Sequence, residues 1–482
     1  MIPEYKMRLN AAFAVSSGLG LRLFFVLKFP VTNTGDSPFY IEMAWNWLKN
    51  HVYGLSIDGV LTPVDMRVPG YPSFLAAVFA VAGQSQRAVM LAQAVVDLGT
   101  CVLIALIAAR IAGPEARQRV AIAALWLAAL CPFTANYTAV VLSETLATFL
   151  TALAILLVLN AAWPVAGTGA KIGAPGSGSA KDWLLAGVVS GFGALVRPET
   201  PLVLIAAGAL IVVRWRHPPD WGKLMRATVF MGVGVILPLV PWAARNWRTL
   251  HDVQFLAPRY SELPGEYTPV GFTAWSDTWM WRMRDVYLST WNVNEAAISL
   301  DDLPSSAFDS AAERARVGEL LREHNERLAM SPEIDRQFAE IARERTARDP
   351  LRTYLKIPTL RGLAMWFTPR VELLPVSGNL WPWWQEWDED RVDVVTTLFF
   401  GAVNLSFVLI AIVGAWRSRH RPGVSFLVLF IAIRTIFFAY FADTSEPRYV
   451  LECFPALIAL GAQFFGQAAL RRPAIQKLDS TY

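Results

Sequence analysis

Residues 392–416 read VDVVTTLFFGAVNLSFVLIAIVGAW, a basic turn RSRHR follows at 417–421, and VSFLVLFIAIRTIFFAYF occupies 424–441. A bilayer core needs roughly 20 mostly apolar residues per helical crossing, so this is the pattern of two membrane spans joined by a short turn. The same filter, applied outward, gives further spans at about 11–29, 87–111, 120–137, 140–163, 183–196, 200–213, 225–243 and 450–470. The fold class expected is an all-α polytopic membrane protein with about ten transmembrane helices and a mainly helical soluble region on the outer face. Composition agrees: 54% of the 482 residues are hydrophobic and 17% charged, with a mean hydropathy of +0.38, outside the balance of a water-soluble domain.

Short basic loops set orientation. Arg110, Arg117 and Arg119, then Lys171 and Lys181, then Arg214, Arg216, Lys223 and Arg226, then Arg417, Arg419 and Arg421 fall in alternate loops, and Arg471, Arg472 and Lys477 follow the last span. The positive-inside rule puts these loops and both termini in the cytoplasm of a cell inner or plasma membrane. The net charge of +4 is spent in these loops and gives no nucleic-acid signal. Lys6 and Arg8 precede the first apolar run without a small-residue cleavage site after it, so that run reads as an uncleaved span. The stretch Gly167 to Ala180 reads as a flexible cytoplasmic linker.

Three parts follow from this topology. Residues 1–244 form an N-terminal transmembrane module whose first outer loop spans about 30–86; residues 245–391 form an outer-face region; residues 392–482 supply the last spans and a cytoplasmic tail. Within the first loop, Pro38 to Lys49 has the pattern of a short amphipathic helix. In the outer region, Ser310 to Ala347 is rich in Ala, Glu and Arg and predicts helix broken near Ser331-Pro332. The tryptophans between Tyr354 and Trp387 suit anchoring at headgroup level.

Charges within spans are expensive and normally pair or line polar cavities. Arg22, Asp97 and Arg434 are the deep ones, and Arg22 with Asp97 is the expected ion pair. A second group gathers at outer span ends: Asp36, Arg67, Glu144, Arg197, Glu199, Arg245 and Arg448. Lining one pocket, they would offer guanidiniums to grip phosphate with paired bonds and a carboxylate to take a hydroxyl proton. The alternative reading of Asp36 is a helix N-cap ahead of Pro38. The three cysteines lie in apolar stretches and read as core residues, and five scattered histidines without ligand spacing predict no metal site and no cofactor.

The segments Gly35-Asp36-Ser37-Pro38-Phe39-Tyr40 and Arg67-Val68-Pro69-Gly70-Tyr71-Pro72, with Ser143-Glu144, Arg197-Pro198-Glu199, Pro241-Trp242, Arg245-Asn246 and Arg448-Tyr449, resemble the GT-C glycosyltransferases. That similarity extends over nearly the whole chain, the nearer relatives including protein O-mannosyltransferases and lipid A aminoarabinose transferases. The resemblance implies an inverting transfer of a sugar from a polyprenyl-phosphate carrier to an acceptor hydroxyl on a lipid, polysaccharide or protein at the outer face. By the same resemblance Asp36 is the catalytic base. Arg197, Arg245 and Arg448 are the expected ligands of the donor phosphate, and Tyr40, Arg67, Tyr71, Glu144 and Glu199 the expected pocket. Many members carry a second acid directly after the aspartate. This chain has Ser37 there, which weakens the case for a bound metal, although Asp58 or Asp65 are spatial substitutes to consider. The competing class is a lipid or sugar transporter, for which internal repeats are the usual sign; none is visible here.

Overall fold

The computed structural model describes residues 4–32, 34–163, 178–213, 221–260, 263, 266–294, 296–442 and 444–466. Most of the expected linker and the basic residues Lys171, Arg214, Arg216, Arg471, Arg472 and Lys477 lie outside them. The helices are α1 (Glu4–Lys28), α2 (Ser37–Asn50), α3 (Gly70–Ala82), α4 (Gln86–Ile111), α5 (Arg117–Ala129), α6 (Pro132–Asn136), α7 (Glu144–Ala162), α8 (Ala180–Ala194), α9 (Leu202–Val213) and α10 (Trp221–Leu250). They continue with α11 (Val270–Ser276), α12 (Met283–Leu288), α13 (Ala311–Arg327), α14 (Pro332–Arg348), α15 (Ile357–Phe367), α16 (Trp383–Glu389), α17 (Arg391–Ser418), α18 (Val424–Phe441) and α19 (Phe454–Ala462). Among the described residues the only sheet is one antiparallel hairpin, β1 (Gly54–Ile57) and β2 (Val60–Pro63). The chain is an all-α multi-pass membrane protein.

Among the described residues, seven helical segments, the last being Pro447–Gly466, are long and apolar enough to cross a bilayer, or eight if α5 and the segment Pro132–Ala139, bent by 45°, count as one broken span. This is fewer than the ten expected, and the difference has a local cause. Among the described residues, the two segments flanking Arg197 form helices of 15 and 12 residues, shorter than the 20 or so that a crossing needs. Pro198 and Pro201 stand between them, where a proline has no amide hydrogen to extend a helix. The short α8 leans on α10 instead, at a contact made close by glycines: a side chain at Gly187 would lie 2.3 Å from the Met231 carbonyl oxygen. Small residues of this kind let membrane helices approach backbone to backbone.

The deep charges are paired. Arg22 on α1, fully buried, donates from Nε and Nη2 to Asp97 Oδ2 on α4 at 2.9 and 2.6 Å, and its remaining N–H groups reach the Gly18 and Ala129 carbonyls. Arg434 on α18 donates to Glu452 Oε1 at 2.6 Å. Cys101, Cys131 and Cys453 are free and buried.

Outside the bundle, α11 to α14 enclose a second core built on Phe272, Trp275, Trp279 and Phe338. The predicted helix and its break appear as α13 and α14, and the reason is capping. Ser310 Oγ accepts from the Glu313 amide and Ser331 Oγ from the Ile334 amide, each satisfying a donor that the first helical turn leaves open.

Candidate active site

Two hydrogen bonds to backbone carbonyls bring the first loop against the segment before α7. The Val31 amide donates to the Ala139 carbonyl at 2.8 Å, and Ser37 Oγ donates to the Val141 carbonyl at 2.9 Å. A third tie joins the start of α3 to the residue after α8, where the Gly70 amide donates to the Leu195 carbonyl at 2.6 Å. Only glycine permits this approach, since a Cβ at Gly70 would fall 2.4 Å from the Leu195 oxygen. Tyr53 Oη donates to the Arg67 carbonyl at 2.8 Å. Asp36, Arg67, Glu144 and Arg197, far apart in sequence, therefore converge.

They line one cavity of about 600 Å³ together with Tyr40, Glu199, Glu446 and Arg448. Arg67 Nη2 donates to Asp36 Oδ1 at 2.7 Å, and Arg448 Nη1 to Asp36 Oδ2 at 3.3 Å. Arg448 is shared: the same Nη1 lies 3.7 Å from Glu144 Oε1, and its Nε is paired with Glu446. Arg197 donates to Glu144 Oε1 at 2.7 Å, with Glu199 at 3.9 Å and Glu452 at 3.4 Å from its Nε. Aromatic rings of Trp291, Phe437, Phe438, Phe441 and Tyr449 form part of the wall.

Asp36 occupies the position before α2, but its side chain makes no capping bond; the carboxylate is committed to the two arginines. Burial pushes its acidity towards a higher pKa, yet Arg67 and then Arg448 outweigh this and hold the carboxyl well below its usual range. Burial also disfavours the Arg197 cation, and Glu144, Glu199 and Glu452 more than compensate. Tyr40 is pushed up by burial and then by the Asp36 charge. The Asp36 carboxylate and the Arg197 guanidinium are thus each held in the charged form by the opposite charges around them.

Arg245 and Tyr71, two of the expected site residues, lie off this cavity. Arg245 donates to the Tyr53 and Val64 carbonyls at 2.5 and 2.9 Å and faces the rings of Trp242 and Tyr53, on a separate, mostly apolar groove of about 710 Å³ between α2, α3, α8 and α10. It reaches the site only indirectly, because Tyr53 in turn holds Arg67. Tyr71 is buried behind Tyr40, ring to ring at 5.0 Å, and donates to Gln93 at 2.7 Å. Asp58 sits exposed at the tip of the β1–β2 hairpin and Asp65 is half-buried nearer Arg245; neither lines the cavity. The set around Asp36 is two guanidiniums, with the Ser37 hydroxyl turned to backbone. Such a set suits an anion and does not fit a metal ion held at Asp36.

Glu446, Glu452 and Glu372 were not singled out from the sequence. Glu372 accepts from Tyr137 Oη at 3.0 Å behind the cavity. The available signal was Glu452, a lone acid in an apolar span with Arg434 in the preceding one.

Residues 66–244 match the family described as dolichyl-phosphate-mannose-protein mannosyltransferase. Across nearly the whole chain, the fold is similar to that of the archaeal oligosaccharyltransferase AglB from Archaeoglobus fulgidus, solved in complex with an inhibitory peptide and a dolichol-phosphate. The two are 13% identical with a TM-score of 0.50, over 96% of this chain and 50% of that one. At this identity the likeness is one of fold. This chain spans about half the length of the archaeal oligosaccharyltransferase. ArnT from Cupriavidus metallidurans is also similar, at 13% identity and a TM-score of 0.36 in the apo state, over 95% of this chain and 77% of that one. No curated protein matches the sequence.

Proposed function

We propose that the protein is an inverting glycosyltransferase that moves a sugar from a polyprenyl-phosphate carrier to an acceptor hydroxyl at the outer face of the membrane. The observation that carries this reading is a carboxylate, Asp36, whose side chain is held by two arginines in a cavity of mixed charge. In the proposed reaction the acceptor oxygen attacks the anomeric carbon while the bond from that carbon to the phosphate oxygen breaks. The acceptor proton passes to Asp36 and the carrier leaves as its phosphate. Arg448 is the pivot. Held between Asp36, Glu144 and Glu446 in the free protein, it can turn a donor group to the arriving phosphate, and the loss of its charge beside Asp36 raises the basicity of that carboxylate when the acceptor needs it. The GT-C fold and the mannosyltransferase match support the reaction class; the lipid in the archaeal complex supports the carrier.

The test is turnover and donor binding of Arg197→Ala and Arg448→Ala with a polyprenyl-phosphate sugar, with Arg245→Ala, which lies off the cavity, for comparison. Hydrogen bonds to a charged group are worth about 1.5–3 kcal/mol, so the first two are each expected to lose about 10- to 100-fold. Lysine at the same two positions is expected to restore part of the loss, since it keeps the charge but not the fork. Full activity in both Arg197→Ala and Arg448→Ala sinks the assignment.

The outer-face placement rests on the basic loops. A cysteine introduced at Arg419 is expected to react with an impermeant thiol reagent only from the cytoplasm, and one at Ala312 only from outside. The native thiols are buried and give little background. Labelling at Arg419 from outside would reverse the orientation and remove the cavity from the face proposed. On this reading, residues 245–391 act as an outer cap over the transmembrane module 1–244, with 392–482 closing the bundle.

A further inference from the structure

The hairpin formed by α17 and α18 has an unusual gap. Consecutive antiparallel helices joined by a short turn ordinarily pack on each other. Here α17 runs along α19, whereas α18 leans on α9 and α15 and barely meets α17. Small residues cause the divergence: a side chain at Gly414 of α17 would fall 2.0 Å from the Leu460 carbonyl oxygen of α19, so α17 is drawn inward. The result is a groove of about 780 Å³ with walls from α17 and α18 and a floor that includes Leu457 and Leu460.

Three properties select an occupant. The lining is almost wholly apolar, with Ala411, Ile412, Val428 and Ala432 along it, so water filling it would leave hydrocarbon solvated. Along α18 the lining runs from Val424 to Ala432, about 12 Å at 1.5 Å per residue, close to one leaflet's share, about 15 Å, of the hydrocarbon core. At the end next to the turn stands Arg419, exposed, with Trp416 beneath its guanidinium at 4.6 Å, and Arg417 and Arg421 flank it in sequence. At the other end Trp366 closes the groove, its Nε1 donating to Thr435 at 2.9 Å.

We propose that this groove binds an anionic glycerophospholipid of the leaflet that meets the α17–α18 turn, one acyl chain lying between the helices and the phosphate on Arg419. In the orientation proposed above this is the cytoplasmic leaflet, so the site is separate from the cavity around Asp36. Its occupant fills the void that the divergence of the two arms leaves between their side chains.

The test uses the full chain purified in detergent, titrated with dioleoyl phosphatidylglycerol or dioleoyl phosphatidylcholine and followed by native mass spectrometry. One phosphatidylglycerol per chain is expected to persist under conditions that strip phosphatidylcholine. Arg419→Ala is expected to weaken that adduct about 10-fold or more, as loss of a charge-assisted contact implies. Ala415→Trp, which fills the groove, is expected to abolish it while the melting temperature shows the protein folded. Equal retention of the two lipids by the unmodified chain, or an unchanged phosphatidylglycerol adduct in both variants, overturns the proposal. Stoichiometric displacement of phosphatidylglycerol by a polyprenyl phosphate also overturns it, assigning the groove to a carrier lipid instead.

Discussion

Asp36→Asn is expected to give a folded protein that binds donor normally and turns over about 10²- to 10⁴-fold more slowly, the usual contribution of a positioned proton transfer. Asparagine keeps the size of the side chain and one acceptor oxygen for Arg67, and Asp36 makes no capping bond for the exchange to remove. Stability therefore stays near that of the parent, and the loss appears in kcat. Turnover and thermal stability measured side by side decide the matter. Near-normal turnover would take Asp36 out of the mechanism and leave Glu144, which shares Arg448 with it, as the next acid to test. A linked pH effect follows from the geometry. Burial raises the Asp36 pKa, but Arg67 and Arg448 lower it further below its usual range, so the free enzyme holds an ionised carboxylate well into acid. In kcat/KM, which reports the free enzyme, the acid limb due to this group is therefore expected below the ordinary aspartate value of about 3.9. Arg67→Ala removes the strongest opposing charge, so the limb moves to higher pH in the variant. A limb that stays in place would show that another group governs it.

The membrane class was legible because apolar length is a property of composition alone, and α17 and α18 stand where their runs of hydrophobic residues end. The helix at 311–348 and its break were legible for a different reason: Ser310 and Ser331 are capping residues whose local bonds decide where a helix begins. The Arg22–Asp97 pair followed from cost, since two isolated charges at that depth have few ways to coexist with lipid. Number of spans was less legible. The segments on either side of Arg197 are apolar enough but are cut short by Pro198 and Pro201, and hydropathy does not register backbone breaks.

The candidate site divides along the same line. Residues that meet at one turn of the bundle, Asp36, Arg67, Glu144, Arg197, Glu199 and Arg448, share a side of the membrane in the sequence reading and share a cavity in the fold. Arg245 shares the side but not the cavity, because its guanidinium is taken up by the Tyr53 and Val64 carbonyls; topology gives depth and not direction around the bundle. The hairpin at 54–63 went unread although Asp58-Gly59 is a strong turn signal between apolar residues. Both residues adopt positive φ, 50° and 77°, as a two-residue hairpin of that type requires. Glu452 was missed although it is a lone acid in the span after the one that holds Arg434; that the two meet is a matter of direction around the bundle, which the fold supplies.

Glu452→Ala is expected to destabilise the protein by about 3–5 kcal/mol, the range found when one partner of a buried ion pair is removed. The carboxylate is 1% exposed and is bonded on both oxygens: Oε1 accepts from Arg434 at 2.6 Å and Oε2 from Thr151 at 2.9 Å. Without it, Arg434 remains fully buried with only the Tyr449 carbonyl at 2.9 Å for its Nε. A charge left so in the bundle interior has no solvent to turn to. The double variant Arg434→Leu with Glu452→Leu removes both charges and keeps apolar volume, a change that is often neutral or mildly stabilising. The double variant is thus expected to melt well above Glu452→Ala, a non-additivity that marks direct coupling. Thermal unfolding of the three proteins in one detergent is the measurement, and equal melting temperatures for the single and double variants would refute the pairing. Turnover adds a second readout. Glu452 Oε1 also lies 3.4 Å from Arg197 Nε, so the buried pair braces an arginine of the cavity from behind. The double variant, though stable, is therefore expected to lose activity through a higher donor KM, because Arg197 keeps its bond to Glu144 but no longer has a fixed position on its other side.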